Sequence, residues 1–354
     1  MKASYTTALF LFSTLTAPVL ADQSGISFEH KDWEVTCDNT LTCRTAGYAN
    51  EEGAGGSVLL TRQAGANTVP TGEVILSETD SEDEAPVTKL TVWINGVSAG
   101  DLTAAENDTW RLSQPQTLGL INAVKGSGKV EFKGGHTPFM LSNDGAYAVM
   151  LKVDDVQGRI GTPGAWTKKG NRSESSVTKA VPAPVIQAAK VSKEPSRLLT
   201  QQEITALKPR LMATLTDDLQ CDRLNPDEEE KGSISDEESD KLTYIPLDNT
   251  HALISTLCWR AAYNEGYGYW VIDKALTGKP VIVTDSGADY RDGEISWFQK
   301  GRGIADCVSM AEWIWDGQTF QEARHANSGM CRYIRAGGSW DLPGFVADVK
   351  PAPN

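Results

Sequence analysis

Histidine, the side chain that hydrolytic and metal sites use most often, is rare and scattered in this sequence. Its four occurrences form no His-x-His or His-Glu-x-x-His spacing, which is the usual pattern of a zinc hydrolase. They are His30, His136, His251 and His325. Gly126-Ser127-Gly128-Lys129 lacks the full spacing of a phosphate-binding loop and precedes a strand pattern, so we interpret it as a turn. We expect no metal and no cofactor.

Tryptophans beside carboxylates form the first candidate site. Trp313 and Trp315 alternate on a strand pattern and would share one face. Exposed indoles stack on sugars or anchor protein interfaces, whereas buried ones form a core, and we favour the core. With Arg332, the two indoles are the candidate surface site. Glu312 or Asp316 beside them could supply the acid and base of a glycan hydrolase.

A charged pair close to a cysteine forms the second candidate site. Arg302 and Asp306 flank Gly303 just before Cys307. The pair could line a polar pocket, or it could form a local salt bridge beside a disulfide, with the glycines in a tight turn. We favour the salt bridge.

The charge of the chain limits its partners. The formal net charge is −14, which opposes nucleic-acid binding because a phosphate backbone attracts clustered Lys and Arg. A basic protein is an electrostatically compatible partner, although acidity for solubility is the simpler interpretation. The acidic run at 225–240 has no EF-hand spacing and predicts a solvated loop.

The N-terminus has the pattern of a secretory signal. Lys2 precedes an apolar stretch, and small residues before position 22 predict cleavage after Ala21. No later segment is apolar enough to hold the chain in a bilayer. We therefore expect a periplasmic protein without an integral membrane segment after cleavage, with residues 1–21 as the signal peptide.

Six cysteines follow the signal, and an even number in an exported protein predicts disulfides. Fifteen pairings are formally possible. No Cys-x-x-Cys is present, so the cysteines are interpreted as structural crosslinks and not as a redox or zinc motif. Spacing favours the pairs Cys37–Cys43, Cys221–Cys258 and Cys307–Cys331.

Short strands are predicted between Phe28 and Trp166. Trp33–Cys37 alternates like a half-buried strand, and Leu90–Ile94 alternates before an Asn95-Gly96 hairpin turn. Repeated short strands with such turns favour a sandwich or a barrel. Residues 22–167 are predicted to form a β-sandwich-like domain.

The second half begins after a Pro- and Ser-containing linker at 168–197. Thr200-Gln201-Gln202-Glu203 matches a helix capping box, and leucines then recur at helical spacing. Pro209 within that pattern predicts a kink or two short helices. Strand patterns follow from Tyr244 onward. The chain is therefore predicted to be mainly β, with a helix followed by an antiparallel meander at 198–354, stapled by disulfides.

Five ordered blocks of residues follow one another along the chain. They are Trp33-x-x-x-Cys37 with Cys43, Asp155-Val156-Gln157-Gly158-Arg159, Cys258-Trp259-Arg260-Ala261-Ala262-Tyr263-Asn264, Lys300-Gly301-Arg302-Gly303-x-x-Asp306-Cys307, and Trp315-Asp316-Gly317-x-x-Phe320 with Cys331-Arg332. Together they resemble the bacterial domain-of-unknown-function family 1176, which implies a Gram-negative envelope protein with no established activity. The first block and Phe139-x-Leu141-Ser142-x-x-Gly145-Ala146 give the part from Trp33 to Arg159 a second resemblance, to the invasion-associated locus B proteins, which are small secreted β-sandwich modules. Neither family supplies catalytic residues.

These observations lead to one principal hypothesis and two alternatives. The principal one is a non-enzymatic binding or protein-interaction module of the cell envelope, with a basic protein or a glycan as partner and no nucleic acid. The alternatives are a glycan-acting hydrolase that uses carboxylates beside tryptophans, and a lysozyme-inhibitor-like protein, because lysozymes are generally basic.

Overall fold

The computed structural model of the chain describes residues 25–50, 55–78, 85–224 and 241–353. The described chain is mainly β and contains five sheets and three α-helices. None of the helices in these ranges has the length and apolar character needed to cross a membrane. The predicted signal peptide at 1–21 and the acidic run at 225–240 lie outside the described residues.

The first half contains eleven strands and two helices. Sheet I has the order β1-β2-β3-β4-β5-β9-β8, and sheet II has the order β11-β10-β6-β7. The elements are β1 (Ile26–His30), β2 (Trp33–Cys37), β3 (Cys43–Tyr48), β4 (Gly56–Arg62), β5 (Thr71–Leu76), β6 (Thr91–Ile94), β7 (Val97–Asp101), β8 (Thr103–Ala104), β9 (Thr109–Leu112), α1 (Gln114–Val124), β10 (Val130–Lys133), β11 (Phe139–Leu141) and α2 (Ala146–Val156).

The second half forms sheet III, with the order β13-β14-β15-β16-β17, and sheet IV, with the order β18-β19-β20-β21-β22. A parallel pair, β12 with β23, stands apart from both. The elements are β12 (Val185–Gln187), β13 (Arg197–Leu198), α3 (Gln201–Met212), β14 (Thr243–Pro246), β15 (His251–Arg260), β16 (Glu265–Asp273), β17 (Val281–Gly287), β18 (Asp289–Arg291), β19 (Glu294–Lys300), β20 (Val308–Trp315), β21 (Phe320–Asn327), β22 (Leu342–Val346) and β23 (Asp348–Lys350), with single 3-10 turns at Glu174–Ser176 and Asp222–Leu224.

The first core lies between sheet I on one side and sheet II with both helices on the other. Trp33 from sheet I, Phe132 from sheet II and Val149 from α2 are fully buried in it. The predicted strands at Trp33–Cys37 and before the Asn95-Gly96 turn are confirmed. The alternation of apolar and polar residues therefore correctly indicated the buried face of these strands.

Two segments predicted as strands are instead helices. Ser113 and Gln116 form a capping box at the start of α1, a signal that was present in the sequence. Before α2, Gly145 has a φ of 99° and is the N-cap residue, so the chain turns at Asp144-Gly145 into a helix. The apolar residues of α2 recur at helical spacing, which short-strand reasoning overlooked.

The helix predicted after the linker is confirmed as α3. The Thr200 hydroxyl accepts a hydrogen bond from the Glu203 backbone N–H, and the Glu203 carboxylate accepts one from the Thr200 N–H at 2.7 Å. Because α3 is a single helix, the alternative of two short helices is wrong, whereas the kink at Pro209 stays a prediction. Pro209 lies in the last turn of α3, and the Thr205 carbonyl that loses its partner belongs to an exposed residue that water can reach.

Sheets III and IV pack face to face, and α3 covers the other side of sheet III. Leu253 and Val271 of sheet III meet Ile295 and Trp315 of sheet IV in one apolar cluster. The strands predicted from Tyr244 onward are confirmed as an antiparallel meander.

Backbone hydrogen bonds hold the predicted linker at 168–197 along its length. The Val181 N–H donates to the Thr40 carbonyl beside sheet I, at 3.3 Å. The Ser192 N–H donates to the Leu247 carbonyl beside sheet III, at 2.7 Å. The linker thus spans from one half to the other while bonded to both; the domain boundaries themselves stay a prediction.

Three disulfides crosslink the described part of the chain. The structure pairs the cysteines as spacing favoured: Cys37–Cys43, Cys221–Cys258 and Cys307–Cys331. The first joins directly opposed residues of the β2–β3 hairpin. The second ties the segment after α3 to β15, and the third ties the start of β20 to the segment after β21. Such crosslinks fit an oxidising compartment.

We expect Gly145→Ala to lower the free energy of unfolding by about 2–3 kcal/mol, because a side chain is strained at positive φ and its Cβ would overlap the His30 carbonyl oxygen. Urea unfolding measures the change. Gly126→Ala, an exposed glycine without positive φ or a close neighbour, is the matched control and should change stability by less than about 0.5 kcal/mol. Equal effects of the two substitutions would contradict this account of α2.

Candidate functional site

A segment of the second half lies across the outer face of sheet I. We call residues 328–342 the crossing segment. Its Ile334, Trp340 and Leu342 pack on Tyr48 and Ile75, which point away from the first core. Sheet I is therefore buried on both faces at its centre, and the crossing joins the two halves through an apolar cluster.

Polar contacts fix the position of the crossing segment. The indole Nε1 of Trp340 donates to Ser57 Oγ at 2.8 Å inside the cluster. The Arg332 guanidinium donates to Asp32 at 2.9 Å, and both side chains are only 15% exposed. An ion pair with so little solvent is strongly oriented, so it sets the register of the segment on the sheet.

Glu34 of β2 is the central acceptor of this contact. Its Oε1 accepts a hydrogen bond from the Tyr48 hydroxyl at 2.6 Å and another from the Met330 backbone N–H at 2.7 Å. Burial has the largest effect on the Glu34 carboxyl and raises its pKa. The two hydrogen bonds lower the pKa and the charge of Glu29 raises it, so that the net result is a pKa above the ordinary 4.5. Burial and the neighbouring Glu34 raise the pKa of Tyr48 well above 10, so its hydroxyl stays protonated and donates.

An acidic groove of about 510 Å³ opens beside this contact, between the β1–β2 edge of sheet I and the Cys307–Cys331 disulfide. Ser27, Glu29 and Glu34 line one wall, and uncharged residues of the second half, such as Ser309 and Met330, line the other. The described lining residues include two glutamates and no lysine or arginine. A cationic group is therefore the complementary occupant.

The strand β1 borders the acidic groove and is the end strand of sheet I. All five of its residues are exposed, including Ile26 at 40% and Phe28 at 38%. In the described part of the chain, no strand pairs with its outer side. Such an edge presents backbone N–H and C=O groups to a second chain.

Arg302 and Asp306 form an ion pair next to the Cys307–Cys331 disulfide and the end of the acidic groove. Arg302 donates to both oxygens of Asp306 at 2.7 and 2.5 Å, and lowers the pKa of that carboxyl. Asp306 also accepts a bond from the Tyr333 N–H at 2.7 Å. The nearby sulfur atoms are bonded to each other and offer no thiolate, so these residues do not fit a metal site.

The structure separates Trp313, Trp315 and Arg332, which therefore do not form one surface. Trp315 is fully buried, and Trp313 packs against the same cluster between sheets III and IV. Arg332 follows Cys331, which is bonded to Cys307 at the start of β20. Trp315 is the last residue of that strand, roughly 20 Å from its start. The two indoles do share one face, as expected, but that face belongs to the core.

The carboxylates considered for glycan hydrolysis do not face the indoles. Glu312 precedes Trp313 on β20, so it points to the opposite side of sheet IV. Asp316 accepts hydrogen bonds from the Gln318 and Thr319 N–H groups, both at 2.8 Å, and shapes the turn after β20. Glu312 and Asp316 therefore do not form an acid–base pair beside these tryptophans.

A serine motif was overlooked in the sequence. Gly96-Val97-Ser98-Ala99-Gly100 has the Gly-x-Ser-x-Gly spacing of a hydrolase nucleophile elbow. The structure places it in the β6–β7 hairpin and along β7, where Ser98 is exposed and Gly100 N–H donates to its hydroxyl at 3.3 Å. A nucleophile elbow needs a strand-to-helix turn, so the motif is coincidental here.

The roles of Glu34 and Tyr48 were also not predicted. Glu34 alternates with Trp33 and Val35 and reads as a solvent-facing residue. One signal in the sequence could have indicated that sheet I is covered on both faces. Val58-Leu59-Leu60 is a continuous apolar run, which is typical of a strand buried on both faces.

The chain was compared with known proteins. A family model described as "Protein of unknown function (DUF1176)" matches residues 27–347, which confirms the first resemblance. The uncharacterised protein YpfG of Escherichia coli (strain K12) is 26% identical over 365 residues, covering 94% of this chain and 96% of that protein. No solved structure matches the chain. The resemblance to the invasion-associated locus B proteins is not shown and stays a prediction.

We expect the Glu34→Gln variant to become more stable relative to the natural protein as the pH rises above 4.5, which is the ordinary pKa of this carboxyl. A carboxyl whose pKa is raised by folding holds its proton more tightly in the folded state. Its contribution to the free energy of unfolding therefore falls as the pH rises through the folded pKa. Glutamine has no such titration and can still accept both hydrogen bonds.

Urea unfolding of both proteins between pH 4 and 8 measures this difference. Glu29→Gln is the companion variant, because removing its charge lowers the pKa of Glu34 and should narrow the pH range of the effect. Parallel stability curves for Glu34→Gln and the natural protein would contradict the prediction.

Proposed function

The chain belongs to the DUF1176 family, which carries no assigned activity, and we propose that it is an exported, non-enzymatic protein of the Gram-negative cell envelope that binds a basic partner protein. Export is supported by the signal pattern before residue 22 and by the three disulfides. Binding is proposed for the acidic groove and the adjacent strand β1.

The observation that carries this proposal is the charge of the acidic groove. Glu29 lies opposite Glu34 on the neighbouring strand, and its charge raises the pKa of Glu34. Arg332 lowers that pKa in part, but it is paired with Asp32 and does not line the groove. A lysine or arginine of a partner would relieve this repulsion. The net charge of −14 would add attraction at longer range.

The geometry of β1 suggests how the partner binds. An extended segment could add to its outer edge through backbone hydrogen bonds, as in β-strand addition. Alternate side chains of that segment would then point to the side of Ser27 and Glu29, where the groove opens. A partner segment with basic residues at every second position fits this surface.

A binding role also agrees with how the ionisable groups of the groove are used. Glu34 is engaged by Tyr48 and Met330, and Asp306 by Arg302. Glu34 joins the two halves through Met330, and Asp306 holds the segment before β20 through Arg302 and Tyr333, so both serve the shape of the groove. Lysozymes fall within the proposed class of basic partners, and a lysozyme inhibition assay tests that one case.

Site-specific photocrosslinking in the native host tests the proposal. We expect benzoylphenylalanine in place of Phe28 to give a defined protein adduct, because Phe28 lies between Ser27 and Glu29 on the open edge strand and its side chain is 38% exposed. Phe298 on sheet IV, 44% exposed, is the matched control and should give none. The adduct should disappear when Glu29→Gln and Glu34→Gln are combined. No adduct at 28, or the same adducts at both positions, would refute the proposal.

Peptide binding gives a second test in vitro. We expect a peptide of alternating lysine and threonine to bind, and the Glu29→Gln/Glu34→Gln variant to weaken binding about five- to tenfold. Binding should also weaken at high salt, and as the pH falls, because a cation prefers ionised Glu34. Glu131→Gln on sheet II, which removes one negative charge away from the groove, is the control for Glu29→Gln alone. Equal binding of an alternating glutamate and threonine peptide would count against the charge argument.

A further inference from the structure

A second group of charged side chains is buried at the edge of the first core. Arg62 ends β4, Arg159 follows α2, and Trp166 lies on the segment beyond. These three residues, which we call the arginine cluster, are 4%, 0% and 4% exposed. The Arg62 guanidinium lies 5.4 Å from the centre of the Trp166 ring.

Several hydrogen-bond donors of the arginine cluster lack a partner among the described residues. Arg62 Nε and Nη1, Arg159 Nη1 and Trp166 Nε1 are all buried without an acceptor. The rest of Arg159 is well bonded: Nε donates to Gln157 Oε1 at 2.8 Å, and Nη2 donates to the Gly65 carbonyl at 2.7 Å. Unpaired buried donors are costly, above all on charged groups.

The neighbouring carboxylates do not supply the missing acceptors. Asp154 already accepts hydrogen bonds from the Trp166 N–H at 2.9 Å and from the Thr167 N–H and hydroxyl at 2.8 and 2.7 Å. Glu174 accepts one from the Gly164 N–H at 2.6 Å, and its free oxygen lies 3.9 Å from Arg159 Nη1. That distance is too long for a direct hydrogen bond.

Positive charge exceeds negative charge around this point. Besides the two arginines, Lys125 donates to the Trp166 carbonyl at 2.9 Å, and Lys169 lies near enough to lower the pKa of Lys125. The carboxylates near these four cations are Asp154 and Glu174. A local excess of cations in a chain of net charge −14 indicates that an anion belongs here.

We propose that a small monovalent anion of chloride size binds between Arg62, Arg159 and Trp166. An anion offers acceptors alone, and acceptors are what the four unpaired donors of the cluster lack. Water would satisfy donors too, but each molecule brings two O–H groups that need acceptors. The unpaired side-chain acceptors there are the free Glu174 oxygen and the Thr162 hydroxyl, too few for waters at all four donors. Burial and the charge of Arg159 lower the pKa of Arg62 to about 10, because both disfavour its charged form. A bound anion stabilises that charged form.

Urea unfolding of the full oxidised chain tests this site, with chloride replaced by gluconate at constant ionic strength. Because only the folded state holds the site, a tenfold rise in chloride above its dissociation constant should shift the unfolding equilibrium about tenfold toward the folded state. Bromide should act similarly. The chloride dependence should vanish in Arg62→Met and persist in Arg291→Met, an exposed arginine with the same charge change.

Trp166→Phe provides a second variant in case Arg62→Met does not fold. It removes one donor and keeps an aromatic ring, so it should weaken the apparent chloride affinity several-fold without abolishing it. The natural protein should broaden the chloride nuclear magnetic resonance signal, and Trp166→Phe should broaden it less. Stability that is the same in chloride and gluconate would overturn the proposal and leave the cluster to water.

Discussion

The packing of residues 328–342 on the outer face of sheet I is the constraint on which the rest of the structure depends. Trp340 contributes both its apolar ring and its indole N–H, which reaches Ser57 inside the contact. Without this cover, Leu59 and Ile75 would be exposed to water on an open sheet. The same contact brings Met330 to Glu34, and so creates the groove next to it.

Much of the fold could be predicted from local patterns. Trp33–Cys37 and the strands of the second half alternate clearly, and Asn95-Gly96 gives an unambiguous hairpin. The spacing-favoured cysteine pairs match contacts between neighbouring elements. Helices α1 and α2 were missed because apolar residues in short segments satisfy both periods, and the flanking strands biased the interpretation. Long-range packing, such as that of the crossing segment, leaves no local pattern.

The candidate site was harder to predict than the fold for the same reason. Glu34 and Met330 are almost three hundred positions apart, and their contact follows from the placement of one half on the other. The tryptophans drew attention by their number, yet Trp315 is core, as the simpler interpretation held. Arg302 and Asp306 were readable because both lie within one turn beside a cysteine. Sequence proximity, more than residue type, decided which groups could be placed.

The long separation between the crossing segment and its sheet has a consequence for how the chain acquires its structure. Strands β2 to β5 can pair as soon as they emerge, since they are neighbours in sequence. The apolar outer face of these strands stays uncovered until residues up to Leu342 have left the ribosome or crossed a membrane pore. During that interval the first half exposes an apolar surface that is prone to aggregation. We therefore expect its biogenesis to depend on a chaperone that binds incompletely folded chains.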